Sequence, residues 1–394
     1  MTRLYPGRMS SYHDLQVMGI RGQRRSVDVK CHGKRKHAMA VFGLANDVAC
    51  VSCDRKLGCD APDASLIIFR EQTMSNQTGI SEMILVGFPG ITEDYNTLIS
   101  AMMFLVYITS LTANGSVICL VTLNTHLHQP MYLIIANLAA SNLLFDTATL
   151  PKLIAKYWFG AYSMPFNVCV FQMFCVHYFG SLDSFLLMVM AVDRYMSICH
   201  PLRYAAIITN KTVFITCGIC WVCFATSTNA TIAAQASQLD RCGANKIYTL
   251  FCTHAAISAL ACSDATYMRR VAFVCAMVVL LVPLGVILLS YTLIIAVITA
   301  RSDSWRRAFY TCTTHLLVVG LYYVPRIFVY IVTNIPLVII KPNINALLLF
   351  LYSVVPHMAN PIIYFLRTNE IRQTLHKVLK KTRHRLTLGV LYKN

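Results

Sequence analysis

The sequence predicts an all-α membrane protein: a bundle of seven transmembrane helices, followed by a short amphipathic helix near the C-terminus. Three observations carry that prediction. Of 394 residues, 56% are hydrophobic and only 13% are charged, whereas a soluble domain carries about a quarter charged residues. The apolar residues fall in runs long enough for helices of about 20 residues to cross a bilayer. The formal net charge of +17 sits beside those runs, which fits an excess of Lys and Arg on one side of a membrane and not a nucleic-acid surface.

Residues 1–73 differ from the remainder. They are basic, lack helical periodicity and contain the run Cys31-His32-Gly33-Lys34-Arg35-Lys36-His37. No apolar stretch of signal-peptide length precedes them. Cys50 and Cys53, with Cys31 and Cys59 nearby, lack the second close ligand pair that a zinc site needs. The segment reads as a disordered extension, with the mature chain expected to begin at Met74. Residues 74–96 then lead to the first span, and Asn76-Gln77-Thr78 is a glycosylation sequon expected to be modified at Asn76.

The spans occupy 97–366. From Tyr95 to Phe145 no Asp, Glu, Lys or Arg occurs, too long a stretch for one helix. The polar break from Asn124 to Pro130 divides it into spans over 97–123 and 131–156, with Pro130 suited to a first helical turn. Further spans are predicted over 166–194, 212–236, 271–299, 308–332 and 344–366. The tail, 367–394, begins with Ile371, Leu375, Val378 and Leu379 on one helical face, as in a helix lying on an anionic lipid surface. Membrane lipids are thus expected partners.

Arg203, Lys211, Arg301, Arg306, Arg307 and the tail cluster Lys377, Lys380, Lys381, Arg383 and Arg385 all fall on one side of this arrangement. The positive-inside bias puts that side, with the C-terminus, in the cytoplasm and the N-terminus outside. Asp193-Arg194-Tyr195, closing the third span, is then cytoplasmic. An arginine beside an acid at a helix end is held by an exposed ion pair worth about 0–1 kcal/mol, which suits a switch better than a clamp.

Sixteen cysteines are present; Cys119, Cys175, Cys217, Cys220, Cys223, Cys275 and Cys312 lie in apolar runs, where Cys acts as a small hydrophobe. Cys169, Cys242, Cys252 and Cys262 lie at loops or span edges and are the disulfide candidates. Ionisable residues within spans are functional suspects by default. Asp183 lies three turns before Arg194. Arg326, one turn from Tyr323, has no formal acid in its own span, and is expected to anchor an anionic or strongly polar ligand.

Several motifs now stand in order on the seven spans. They are Pro130-Met131-Tyr132 with Asn137-Leu138; Met190 to Tyr204, containing Asp193-Arg194-Tyr195; Ser290-Tyr291; Arg307 to His315; and Asn360-Pro361-Ile362-Ile363-Tyr364. Over about 80–394 the chain resembles the rhodopsin-like G-protein-coupled receptors and, within them, the odorant receptors. The resemblance implies a small-molecule odorant as ligand and a stimulatory, olfactory-type heterotrimeric G protein as partner, with cyclic AMP as the output.

It also implies residue roles. Asp193, Arg194, Tyr195, Tyr291, Asn360, Pro361 and Tyr364 are the coupling switch, with Asn360 satisfying a carbonyl freed by Pro361. Cys169–Cys252 and Cys242–Cys262 are the disulfides, pinning a loop over the pocket. His177 and Arg326 are polar contacts for ligand, with Cys175, Val176, Ser181, Cys275, Tyr323, Tyr330 and Ser353 as wall residues. Asp183, Asn114, Asn142 and Asn360 form an interior ion or proton site, although Asn142 stands where most rhodopsin-like receptors carry Asp. Odorant receptors that read acids are expected to use an arginine farther out on the sixth span, where this chain has Asn334.

Other classes fit less well. A light receptor needs a lysine in span seven, and none lies between Asn343 and Leu366. An amine receptor needs an acid in the outer half of span three, and the first one there, Asp183, is too deep. A transporter predicts self-similar halves, which are not seen. No catalytic constellation, cofactor motif or metal-ligand set converges, so an enzyme is not expected. The alternative that stays open is a peptide or lipid receptor of the same superfamily.

Overall fold

The computed structural model describes the backbone of residues 82–239, 245–300, 305–334, 341–378 and 380, and of six strands before residue 70. The chain divides into two compact units, Met1–Gly79 and Ile80–Asn394. In the first, the described backbone runs in β1 (Asp14–Met18), β2 (Arg24–Asp28), β3 (Lys30–His32), β4 (His37–Leu44), β5 (Asp47–Asp54) and β6 (Ile67–Phe69). β1 pairs with β2, and β3-β4-β5-β6 form a second antiparallel sheet. Val41, Val48 and Val51 favour strands.

The second unit is helical. α1 (Asn96–Leu123), α2 (Pro130–Phe159) and α3 (Phe166–Cys199) are the first three spans. α2 starts on Pro130 and stops at Gly160, whose φ of 66° is the left-handed conformation that closes many helices. α3 runs five residues past its predicted end and stops just before His200-Pro201, since the residue preceding a proline is pushed out of the helical region. The short α4 (Pro201–Ile207) follows.

The fourth span is broken. α5 (Asn210–Ile219), a π-helical turn (Cys220–Phe224) and α6 (Ala225–Ser237) replace the single helix predicted. The π turn frees the Trp221 carbonyl, which accepts from the Tyr178 hydroxyl at 2.7 Å on α3. The Trp221 ring nitrogen donates to Asn137 of α2 at 3.1 Å. The break is thus a seat for the fourth helix on its neighbours.

α7 (His254–Ser258) is a short helix in the following loop; α8 (Thr266–Ala300), α9 (Trp305–Asn334) and α10 (Pro342–Arg367) are the last three spans. Among the described residues six helices are long and apolar enough to cross a membrane. A seventh is counted if α4 and α5, bent by 68°, form one span. This is a multi-pass membrane protein. Leu105, Val278, Leu289, Ile295 and Val324 are exposed on the bundle's outside, where lipid chains meet them.

Prolines interrupt four of the spans, and two interruptions are bridged by a side chain from a neighbouring helix. Pro283 leaves the Val279 carbonyl of α8 without its helical donor, and Ser184 of α3 donates to it at 2.9 Å. Pro361 does the same to the His357 carbonyl of α10. The donor there is Asn114 of α1, at 3.1 Å, and not Asn360, the residue expected from sequence. Asn360 Oδ1 is buried without a partner.

The core lies in two apolar clusters. One, around Leu138, Leu186, Ile287 and Ile294, fills the half of the bundle holding Asp193-Arg194-Tyr195. The other, around Met83, Met103, Phe145, Met173 and Phe251, fills the opposite half. Residues 369–378 are helical. Ile371 there is buried in the first cluster and Leu375 packs against it, while Val378 is exposed.

Candidate functional site

One end of the bundle is closed by a lid. β7 (Glu82–Leu85) pairs antiparallel with β8 (Ser163–Pro165) and parallel with β9 (Lys246–Ile247). Cys169 at the start of α3 is bonded to Cys252, with Cα atoms 5.5 Å apart. The Cys252 backbone N–H donates to Gln172 Oε1 at 2.9 Å, so the loop is tied to α3 twice. Thr253 then caps α7, accepting from the Ala256 N–H. Cys262 is also disulfide-bonded. Cys242 and Asn76 lie outside the described residues.

The next residue of the lid reaches inward. The His254 N–H donates to His177 Nε2 at 3.3 Å. Nε2 is therefore an acceptor, and the neutral ring carries its proton on Nδ1. Asn229 of α6 donates to Ser181 Oγ at 3.0 Å and to the His177 carbonyl at 3.4 Å. His177, Ser181, Asn229 and His254 thus form one polar group under the lid.

His254 is itself buried, with Nε2 unpartnered. Burial, aided by the charge of Arg269, pushes its imidazole down to about 4. An unfolded lid takes up that proton near the ordinary value of about 6.5. The stabilisation is therefore complete above pH 6.5 and is lost progressively as pH falls towards 4. Thermal unfolding of the purified protein, followed from pH 7 to 4.5, is expected to show this decline and His254→Phe to flatten it. Equal slopes in the two proteins would contradict it.

Midway along the bundle lies a buried polar layer. Asp146 of α2 accepts from Ser110 Oγ of α1, and His357 Nδ1 of α10 lies 2.8 Å from Asp146 Oδ1. His357 Nε2 is 3.6 Å from Asp183 Oδ2 of α3. All three ionisable groups are essentially inaccessible. Asn114 donates to Ser110, and Asn142 donates to Asn114 Oδ1 at 3.3 Å. Asn142 Oδ1 and Asp183 Oδ1 have no partner.

The sequence reading placed Asp183, Asn142, Asn114 and Asn360 in this layer and missed Asp146 and His357. Both had a signal. Asp146 is an acid inside the second predicted span, and His357 sits in the last one, four residues before Pro361.

The third group lies at the opposite end of the bundle. Asp193, nearly fully buried, accepts from the Tyr204 hydroxyl of α4 at 2.8 Å. No ion pair joins Asp193 to Arg194 among the described residues. Tyr195 Oη bonds His200 Nε2 at 3.1 Å. Tyr291 of α8 bonds His315 Nδ1 of α9 at 2.6 Å, with the rings stacked. Tyr364 is buried with its hydroxyl unpartnered. The charge of Arg194 reaches Tyr291, His315 and Tyr364, so three of the predicted switch residues, Arg194, Tyr291 and Tyr364, share one neighbourhood with His315.

Among the remaining predicted wall residues, Arg326 and Tyr330 lie within electrostatic reach of one another. Tyr323 is buried, bonding Ser184 at 2.7 Å. Cys175 and Val176 are buried on α3, and Val176 belongs to the apolar cluster beneath the lid. Ser353 folds back onto the Leu349 carbonyl of its own helix. Cys275 is a half-buried free thiol. The side chain of Asn334 lies outside the described residues.

The sequence profile described as "Olfactory receptor" matches residues 103–382. The chain belongs to the olfactory receptor family. It is 35% identical to olfactory receptor 1E16 of Mus musculus over 319 residues, covering 80% of this chain and 100% of that protein. It is 36% identical to olfactory receptor 1E5 of Pan troglodytes, covering 78% and 98%. Olfactory receptor 1M1 of Homo sapiens is 33% identical, covering 78% and 97%. Among solved structures, squid rhodopsin superposes with a TM-score of 0.60 at 16% identity, over 77% of this chain and 92% of that one. That likeness is one of fold. Olfactory receptors are receptors and not enzymes, as expected from the sequence. Within this olfactory receptor, the lid and the tyrosine-rich group lie at opposite ends of the bundle, with the polar layer between them.

Proposed function

We propose that this chain is an odorant receptor that binds a small molecule beneath the lid and activates a stimulatory, olfactory-type heterotrimeric G protein, raising cyclic AMP. The observation that carries this reading is the seating of His254 on His177. It places a disulfide-tied loop directly over polar side chains on α3, where a ligand between α3, α8, α9 and α10 would contact lid and bundle together. Binding there favours one of two bundle conformations by its differential affinity. The opposite end opens as α9 moves away from α8, separating His315 from Tyr291.

The same reading sets the orientation. The lid and the N-terminus face outward, and Asp193-Arg194-Tyr195 and the basic tail face the cytoplasm, a placement supported by the distribution of Lys and Arg. Residues 1–73 precede the receptor domain as an extension, the mature chain begins near Met74, and Asn76 carries a glycan.

A panel of small volatile and water-soluble compounds, applied to cells carrying the receptor with a cyclic AMP readout, tests the reading. At least one such compound is expected to raise cyclic AMP. Responses to peptides or lipids alone would replace it with the alternative receptor class.

A further inference from the structure

Arg326 is the most unusual residue of the buried interior. Its side chain is 5% exposed and sits on α9 eight residues before the helix ends at Asn334. The guanidinium carbon lies 3.8 Å above the Tyr322 ring and 5.5 Å from the Tyr352 ring of α10. Nη1 is buried with no hydrogen-bond partner. No carboxylate stands within ion-pair distance among the described residues. The acid in the neighbouring part of α3, Asp183, already has His357 beside it.

The surrounding polar atoms are occupied. The Tyr322 hydroxyl donates to the Gly180 carbonyl of α3, and the Tyr323 hydroxyl pairs with Ser184. Gly180 forms the wall opposite Arg326: a Cβ there would stand 3.8 Å from Nη2. A side chain longer than alanine would therefore intrude on the guanidinium. The aromatic faces offset part of the charge, yet a fixed cation with a free N–H remains inside an apolar surround. Such a group is stable only when paired. Nothing on the described chain completes the pair.

We propose that Arg326 anchors the carboxylate of a small organic acid, with the rings of Tyr322 and Tyr352 flanking the anchor. This rests on the odorant-receptor reading and narrows it to a ligand class. A carboxylate oxygen supplies both what Nη1 lacks, an acceptor and a negative charge. An alcohol or ester supplies only the acceptor and leaves the cation uncompensated.

The test uses the full chain in cells with a cyclic AMP readout, and alkyl and aryl carboxylic acids beside their own methyl esters, alcohols and amines. Acids are expected to be at least tenfold more potent than the matched esters and alcohols. Arg326→Gln, at matched surface amount, is expected to lose tenfold or more of the acid potency, and Arg326→Lys to retain part of it. If esters or alcohols equal the acids, or if Arg326→Gln responds to acids within threefold of the unaltered receptor, the anchor is refuted and the odorant reading stands. Silence towards every small molecule overturns that reading and the anchor with it. Should Arg326→Gln fail to reach the surface, the acid-to-ester ratio of the unaltered receptor decides alone.

Discussion

His357→Leu is expected to destabilise the receptor more than any other single replacement in the bundle. The imidazole stands between two carboxylates from different helices, 2.8 Å from Asp146 and 3.6 Å from Asp183. Leucine fills the space and removes the imidazole that these distances place between the two acids. Breaking a buried pair by deleting one partner costs about 3–5 kcal/mol, because the charge left behind has no solvent. Surface expression should fall sharply, and the purified protein should unfold at a lower temperature.

The decisive comparison is with the acids removed as well. Replacing a whole buried ionic set by neutral groups of like volume is often tolerated. Asp146→Asn and Asp183→Asn introduced into His357→Leu should therefore restore part of the lost stability, although each alone is damaging. The three positions are in one network, so their effects should depart from additivity by roughly 0.5–3 kcal/mol. Additive losses would mean that the layer is packing and not an ionic link. The link matters because α2, α3 and α10 meet there, and Asn114 of α1 holds the His357 carbonyl from the side.

This layer also marks where the sequence stops being legible. The spans were predicted to within about five residues because each is a run of apolar residues bounded by charge, Pro or Gly. Their polar joints depend on which helices touch. Asp146 and His357 are 211 residues apart, and no local pattern pairs them. Histidine counts as neutral in a charge census, so His357 did not stand out beside the Asn360-Pro361 motif. The lid shows the same limit. Cys169–Cys252 followed from family resemblance, whereas β7, β8 and β9 span only four, three and two residues, too short for any alternation to appear. The π turn of the fourth span was hidden because a single extra residue in a helical turn changes no apolar period measurably.

Arg194→Ala is expected to leave surface expression and ligand binding within about twofold and to abolish the cyclic AMP response. The geometry gives a reason beyond the motif. Asp193, the residue best placed to hold the guanidinium, accepts from Tyr204 at 2.8 Å, and no ion pair fixes Arg194 among the described residues. On the other side of the same space Tyr291 is held by His315 at 2.6 Å. On the proposed outward movement of α9, which takes His315 with it, the tyrosine hydroxyl would be released next to a guanidinium with no competing acid, and the pair would face a G protein together. Tyr204→Phe tests the order of these events. Hydrogen bonds to charged groups contribute about 1.5–3 kcal/mol. Without this one Asp193 can turn to Arg194, and agonist potency should fall about tenfold, the equivalent of ~1.4 kcal/mol. Tyr291→Phe should lose efficacy without that shift, since its hydroxyl acts only after α9 has moved. Full signalling in Arg194→Ala would remove the arginine from the mechanism. A normal dose–response in Tyr204→Phe would show instead that Asp193 is held by burial alone.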